Sequence, residues 1–354
     1  MAVDSDTRRD LRTAVMTLTS VLLVLTALFL LEPQVAKEKE VTYESLVKGL
    51  FDEVLEEVED MRGLPKPEST ELNIVSIQWF REKEKVREES KEISLEDIVY
   101  KALFLIPQDY SLGEARVEQA GMIISAVVGS RLYVVQEYFD PQDTQAARRT
   151  LAHEITHILQ SKFRSPDIVT FDQRQAWNAL VEGDADFTAD TYIARSGPSS
   201  YKASVPGSLD RIRVFPYRYG SEFVSALYME GGWSLVNSAY KNPPRSTEEV
   251  LHPEVYQAGG SLIDVEALTP ASNGWMAVLT DTFGEYFIRI MLENGVSSDE
   301  AAMAAAGWGG DNLTLLNRGE SYLVTWRINW DTEEDASEFF EAYGRMVVQM
   351  GGEE

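Results

Sequence analysis

Over most of the chain the apolar positions recur with helical period. Residues 42–61 place Leu46, Val47, Leu50, Phe51, Val54, Leu55 and Val58 on one stripe. Asp52, Glu53, Glu56, Glu57 and Glu59 fill the opposite face, as expected for a helix packed on a core. Gly63, Pro65 and Pro67 end it. Residues 72–80, LNIVSIQWF, read as a strand, and a helix follows near 95–105. Residues 121–137 read as two strands joined at Gly129-Ser130. Further helices are expected over 143–164, 173–195, 220–240 and 246–252. The last opens on Ser246 and Glu249, a capping-box pair, and is stopped by Pro253, so that His252 lies at its C-terminal end. A strand pair near 312–330 turns at Asn317-Arg318-Gly319, and a helix covers 333–349. Together these elements predict an α+β fold that is mainly helical.

The N-terminal pattern is different. Residues 13–31, TAVMTLTSVLLVLTALFLL, carry no charge. At about 1.5 Å of rise per residue such a run crosses a bilayer as a helix. It ends in Phe29-Leu30-Leu31-Glu32-Pro33, without the small residues of a cleavage site, so it reads as an uncleaved signal anchor. Arg8, Arg9 and Arg12 lie close before it, while Lys37, Lys39 and Lys48 follow. The nearer Arg cluster orients the N-terminus towards the cytoplasm. The expected organisation is a cytoplasmic tail at 1–12, a single-pass anchor in the cell membrane at 13–31 and a linker at 32–41. An extracytoplasmic domain then fills 42–354, with an α/β subregion at about 307–354.

Composition narrows the chemistry. The 354 residues include 32 Lys and Arg against 58 Asp and Glu, a net charge of −26. That balance argues against nucleic-acid binding, which needs a basic face. There is no Cys, which excludes disulfides, thiolate zinc sites, iron–sulfur clusters and a cysteine nucleophile. There are three His, and two of them stand four residues apart in HEITH, at His153 and His157. On a helix, positions i and i+4 share a face, so the two rings can hold one cation, with Glu154 placed to reach a water on it. Catalytic zinc takes three protein ligands and keeps one position open. The following helix reads ALVEGDADFTAD, in which Glu182 and Asp186 are again i and i+4. Glu182 is the natural third ligand, with Asp184 and Asp190 as alternatives. Asp186 is placed to accept the ring N–H of a ligating His, most naturally His153. No cofactor other than Zn2+ is implied.

HEITH followed by a Glu-x-x-x-Asp helix resembles the gluzincin metallopeptidases, the thermolysin-like clan. The metzincin pattern would need Gly at 160 and His at 163, where this chain has Gln160 and Phe163. MRGLPKP (61–67), RLYVV (131–135), LAHEITHILQ (151–160), ALVEGDA (179–185), the segment at 231–256 and GWGGDNL (307–313) also resemble a family of uncharacterised bacterial and archaeal secreted or anchored proteins, themselves read as metallopeptidases from the zinc motif. The gluzincin resemblance implies zinc on His153, His157 and Glu182, and Glu154 as general base. It implies a zinc-activated water that hydrolyses a peptide bond of a peptide or protein substrate. It also implies that the strand near 131–136 is the edge that pairs with substrate. A further His or Tyr donates to the oxyanion in that clan; His252 is available for this, with Tyr217, Tyr219 and Tyr256 as competitors. The rival expectation is an inactive peptidase fold that binds peptides or a membrane partner.

Overall fold

The computed structural model describes residues 40–84, 94–110, 112, 124–193, 207–260, 262–268 and 274–351. Among these, no helix is long and apolar enough to cross a membrane. The anchor expected at 13–31 lies outside the described residues, so the fold established here is mixed α+β and mainly helical, without a spanning element.

The chain opens with α1 (Glu40–Arg62), followed by β1 (Glu71–Val75), α2 (Ile77–Glu84) and α3 (Leu95–Ala102). The hairpin β2 (Ser125–Val128) and β3 (Arg131–Val135) leads into α4 (Thr144–Gln160), α5 (Phe171–Tyr192) and the long α6 (Ser208–Ala239). Next come α7 (Thr247–Leu251), α8 (Pro253–Ala258), β4 (Met276–Asp281), α9 (Gly284–Leu292) and α10 (Ser298–Ala305). The β5 (Trp308–Arg318) and β6 (Ser321–Trp330) hairpin and α11 (Glu333–Gln349) close the fold.

Two small sheets result, in the orders β1-β3-β2 and β4-β5-β6. β3 pairs in parallel with β1 and antiparallel with β2, so the strand expected to be a substrate-pairing edge is the central one. The edge beside α4 is β2. The run 72–80 splits into strand and helix because the Ser76 hydroxyl caps Trp79 N–H at 3.2 Å and turns the chain. The helix expected at 220–240 begins earlier, at Ser208, with Pro216 inside it and a break at Gly232 (φ 60°).

Two cores flank the helices that carry the sequence motifs. In one, Val47, Phe51, Val54 and Val58 of α1 meet Leu151, Ile155 and Ile158 of α4 and Leu132 and Val134 of β3. In the other, Leu180 of α5 packs among Phe215 and Phe223 of α6, Phe287 of α9 and Trp308 of β5. Both helices begin on side-chain caps: Asp143 accepts from Ala146 N–H, and Thr170 from Gln173 N–H. The other core's C-terminal side also secures α5, since Asp281 accepts from Phe171 N–H at 2.7 Å and the Thr282 carbonyl from Asp172 N–H at 3.0 Å.

α5 and α6 cross at glycine. A Cβ added at Gly183 would sit 2.1 Å from the Gly220 carbonyl carbon, and one at Gly220 would sit 2.1 Å from the Ala179 oxygen. Backbone meets backbone here, one residue after Glu182. Gly183→Ala is therefore expected to cost on the order of 3 kcal/mol or more, because overpacking against main chain leaves no side chain to move. Chemical denaturation checks this: a midpoint equal to the wild type's would contradict the tight crossing.

Candidate metal centre

α4 and α5 pack side by side, and their i, i+4 pairs face each other. His153 Nε2, His157 Nε2 and a Glu182 carboxylate oxygen converge on one point. The separations are 3.1 Å between the two ring nitrogens, and 3.4 and 3.3 Å from His153 and His157 to Glu182 Oε2. Ligand bonds of about 2.0–2.1 Å at a tetrahedral zinc place neighbouring ligand atoms about 3.3 Å apart, so the triangle has the dimensions such an ion requires. Glu182 Oε2 is buried, with the two histidine ring nitrogens beside it. Of the carboxylates considered as third ligand, Glu182 is the one in this group. The three residues can hold a metal ion.

The other two carboxylates are engaged elsewhere. Asp184 is fully buried and ion-paired with Arg62 of α1 at 3.1 Å. Asp190 pairs with Arg149 Nε at 2.7 Å. Asp186 lies where the spacing put it: His153 Nδ1 donates to its Oδ1 at 3.1 Å, and Arg149 reaches the same oxygen at 3.0 Å. For His157 the matching acceptor is Gln160 Oε1, 2.9 Å from Nδ1, a partner that the sequence reading did not identify. Its signal is the i, i+3 spacing on the motif helix itself.

Glu154 follows His153 on the buried side of α4. Its Oε1 accepts from the Ser125 hydroxyl of β2 at 2.8 Å, while its Oε2 is buried without a partner. Ser125 was also missed, because nothing in a strand sequence marks which residue will meet a helix side chain. His252 is not a member of this group. It ends α7 and precedes α8, and its Nε2 bonds to Glu285 of α9 at 3.0 Å. Of the tyrosines, Tyr217 of α6 lies beside the centre, its ring stacked near His153 at 6.3 Å between centroids. Tyr219 packs on Phe215 and Tyr286, and Tyr256 donates to the Asn242 carbonyl.

The three groups strongly influence one another's charge. Burial disfavours protonated His153, but hydrogen bonds and charge attraction from Asp186 and Glu182 outweigh it and raise the ring's pKa to about 10. His157 moves up for the same reason, with Glu182 as the main attraction against burial. Burial opposes ionised Glu182, yet the two rings hold it well below the usual carboxylate range.

The family model described as a domain of unknown function (DUF8575) matches residues 275–354, the segment from β4 onward. No curated protein matches the chain. A crystal structure of a candidate hydrolase with a novel fold from Chloroflexus aurantiacus is similar over 73% of this chain and 98% of its own, at 16% identity and a TM-score of 0.43. A likeness at that level fixes neither fold nor activity. None of these matches supports membership of the gluzincin family.

Two expected outcomes follow from the geometry. Glu182→Ala should abolish tight metal binding, whereas Asp190→Ala should leave one ion per chain, as read by metal analysis after dialysis. Without metal, Asp186 and Glu182 favour a proton on His153 at neutral pH, and a cation must displace it. Apparent zinc affinity should therefore rise as pH climbs from 6 towards about 10, with proton release measurable by calorimetry in two buffers. A pH-independent affinity would contradict the assignment of these ligands.

Proposed function

We propose that the protein is a membrane-anchored, zinc-dependent peptidase with its working domain outside the cytoplasm. One observation carries the reading: Glu154, with one buried oxygen free, adjoins three ligand atoms spaced for a tetrahedral ion. When bound, zinc supplies an acidified water and a Lewis acid for a carbonyl oxygen.

The chain's own residues do the rest. His153, His157 and Glu182 hold the ion; Asp186 keeps His153 oriented through its Nδ1–H. Glu154 Oε2 takes the proton from the attacking water and passes it to the amine nitrogen as the C–N bond breaks, while Ser125 holds its other oxygen. The oxyanion contact is assigned to Tyr217, whose ring stacks near His153, in preference to His252, which is bonded to Glu285. Among the described residues β2, which begins at Ser125, is an edge strand, and its edge offers main-chain pairing to an extended substrate segment beside α4. The motif resemblance to zinc peptidases supports a peptide as substrate class.

Glu154→Gln should retain about one zinc per chain and lose roughly 10³-fold in peptide hydrolysis. Retained hydrolysis would remove Glu154 as base, and a wild type inert on a mixed peptide library, with or without added zinc, would leave a binding protein instead. Tyr217→Phe should lower kcat by about 10²-fold at unchanged zinc content, and His252→Ala should leave kcat within about twofold.

A further inference from the structure

Glu182, Asp186 and Glu154 are absorbed by the proposed mechanism, but the buried ion pair beneath His157 is not. Gln160 lies one turn from His157, and both of its amide ends are committed. Nε2 donates to the Val181 carbonyl at 2.9 Å and to Asp184 Oδ2 at 3.1 Å. Both partners accept only, so the amide cannot turn over without setting oxygen against oxygen. Its Oε1 is therefore fixed towards His157 Nδ1, and an amide oxygen only accepts. Nδ1 must then carry a hydrogen, so Nε2 is the ring nitrogen turned towards Glu182 and His153, and it is the one that gives its lone pair to a metal ion once deprotonated.

Asp184 holds this polarity. It is fully buried and takes four donors: Arg62, Gln160 and Tyr240 on Oδ2, and Thr188 on Oδ1. Its charge is balanced by Arg62, equally buried, whose guanidinium also donates to Asn237 and lies 4.0 Å from the Trp233 ring centroid. Arg62 is the last residue of α1, so the compensating charge comes from the far end of the helix that begins the described chain.

We infer that Arg62, Asp184 and Gln160 form a positioning relay that fixes the ring tautomer of His157 and thereby sets metal affinity, so that metal loading depends on α1 being docked. The relay rests on the metal-site reading above. Asp184, a candidate ligand by sequence, acts through two intervening groups instead. A carboxylate is required there because it only accepts; an amide in its place can offer either an N–H or an oxygen to Gln160 and so releases the constraint.

The test measures zinc affinity of the full-length chain by competition with a chelating dye, together with 15N spectra of the histidine rings in the zinc-loaded state. With three histidines in the chain, the rings are assignable by single substitution. Asp184→Asn and Gln160→Met should each weaken zinc by about 10- to 100-fold, and each should lose the protected Nδ1–H signal of His157 while that of His153 persists. Gln160→Met leaves the Arg62–Asp184 pair intact and so guards against misfolding of the other variant. Tyr240→Phe removes a donor from Asp184 without altering the polarity of Gln160; it should lower thermal stability yet keep affinity within about threefold. Wild-type affinity in both relay variants would overturn the relay and leave the metal site standing. So would a loss in Tyr240→Phe as large as in Gln160→Met, since that marks general loosening. A wild type that takes up no zinc would remove the metal site and the relay with it.

Discussion

The structure is governed by the need to neutralise carboxylates buried on one helix. α5 carries Glu182, Asp184, Asp186 and Asp190 within nine residues, all wholly or largely withdrawn from solvent. Buried charge is tolerated only when paired or bound to a cation. Two arginines discharge most of it, Arg62 from α1 on Asp184 and Arg149 from α4 on Asp186 and Asp190. Glu182 has no arginine. Among the described residues its inward oxygen faces the two imidazoles, so the balancing cation is a proton on those rings or a metal ion. The packing of α1, α4 and α5 satisfies this balance, and the close α5–α6 crossing at Gly183 and Gly220 holds Glu182 at the depth where it applies.

The same balance explains why the two histidines are supported differently. His153 leans on a carboxylate, Asp186, which Arg149 already partly neutralises. His157 leans on a neutral amide, Gln160. Glu154 and Glu182 already place two negative charges near the rings. A second direct carboxylate, at His157, would add a further negative charge to that group. Setting Asp184 one step back, behind Gln160 and against Arg62, delivers the orientation without the charge.

Much of the centre was legible because one helical turn separates its parts. HEITH and the Glu182/Asp186 pair announce themselves at i, i+4, and the cap at Ser246 marks a helix start that the structure keeps. The pairing of α4 with α5 was inferable from two facing pairs of opposite chemistry. The third-ligand alternatives could be separated only by rotation about α5: Glu182, Asp186 and Asp190 lie one turn apart on the side facing His153 and Arg149, whereas Asp184, two residues on, turns away. Arg62 could not be assigned to Asp184 from sequence, since 122 residues separate them and any arginine would read alike. The segment 284–292, GEYFIRIML, was not read as a helix, although its charged residues Glu285 and Arg289 stand one turn apart; α9 is buried on nearly every side. The start of α6 was obscured by Pro216 and Gly220, residues that mark breaks when exposed. Here Pro216 is buried inside the helix, and Gly220 admits the α5 backbone.

The C-terminal segment also bears on the centre, at a distance. Asp311 of β5 accepts from the backbone N–H groups of Phe283 and Gly284 and from the indoles of Trp308 and Trp326, fixing the start of α9 against the second sheet. Asp281, at the end of β4, accepts from Phe171 N–H, and Asp172 accepts from both the backbone and hydroxyl of Thr247. The first turn of α5 is thus gripped by β4 and α7 before the helix reaches Glu182, three turns on. A helix held at its start by hydrogen bonds and at Gly183 by backbone contact has little freedom to rotate, and rotation of α5 is the motion that would exchange Glu182 for Asp184 at the rings. The segment from β4 onward therefore contributes no ligand, yet helps determine which carboxylate becomes one.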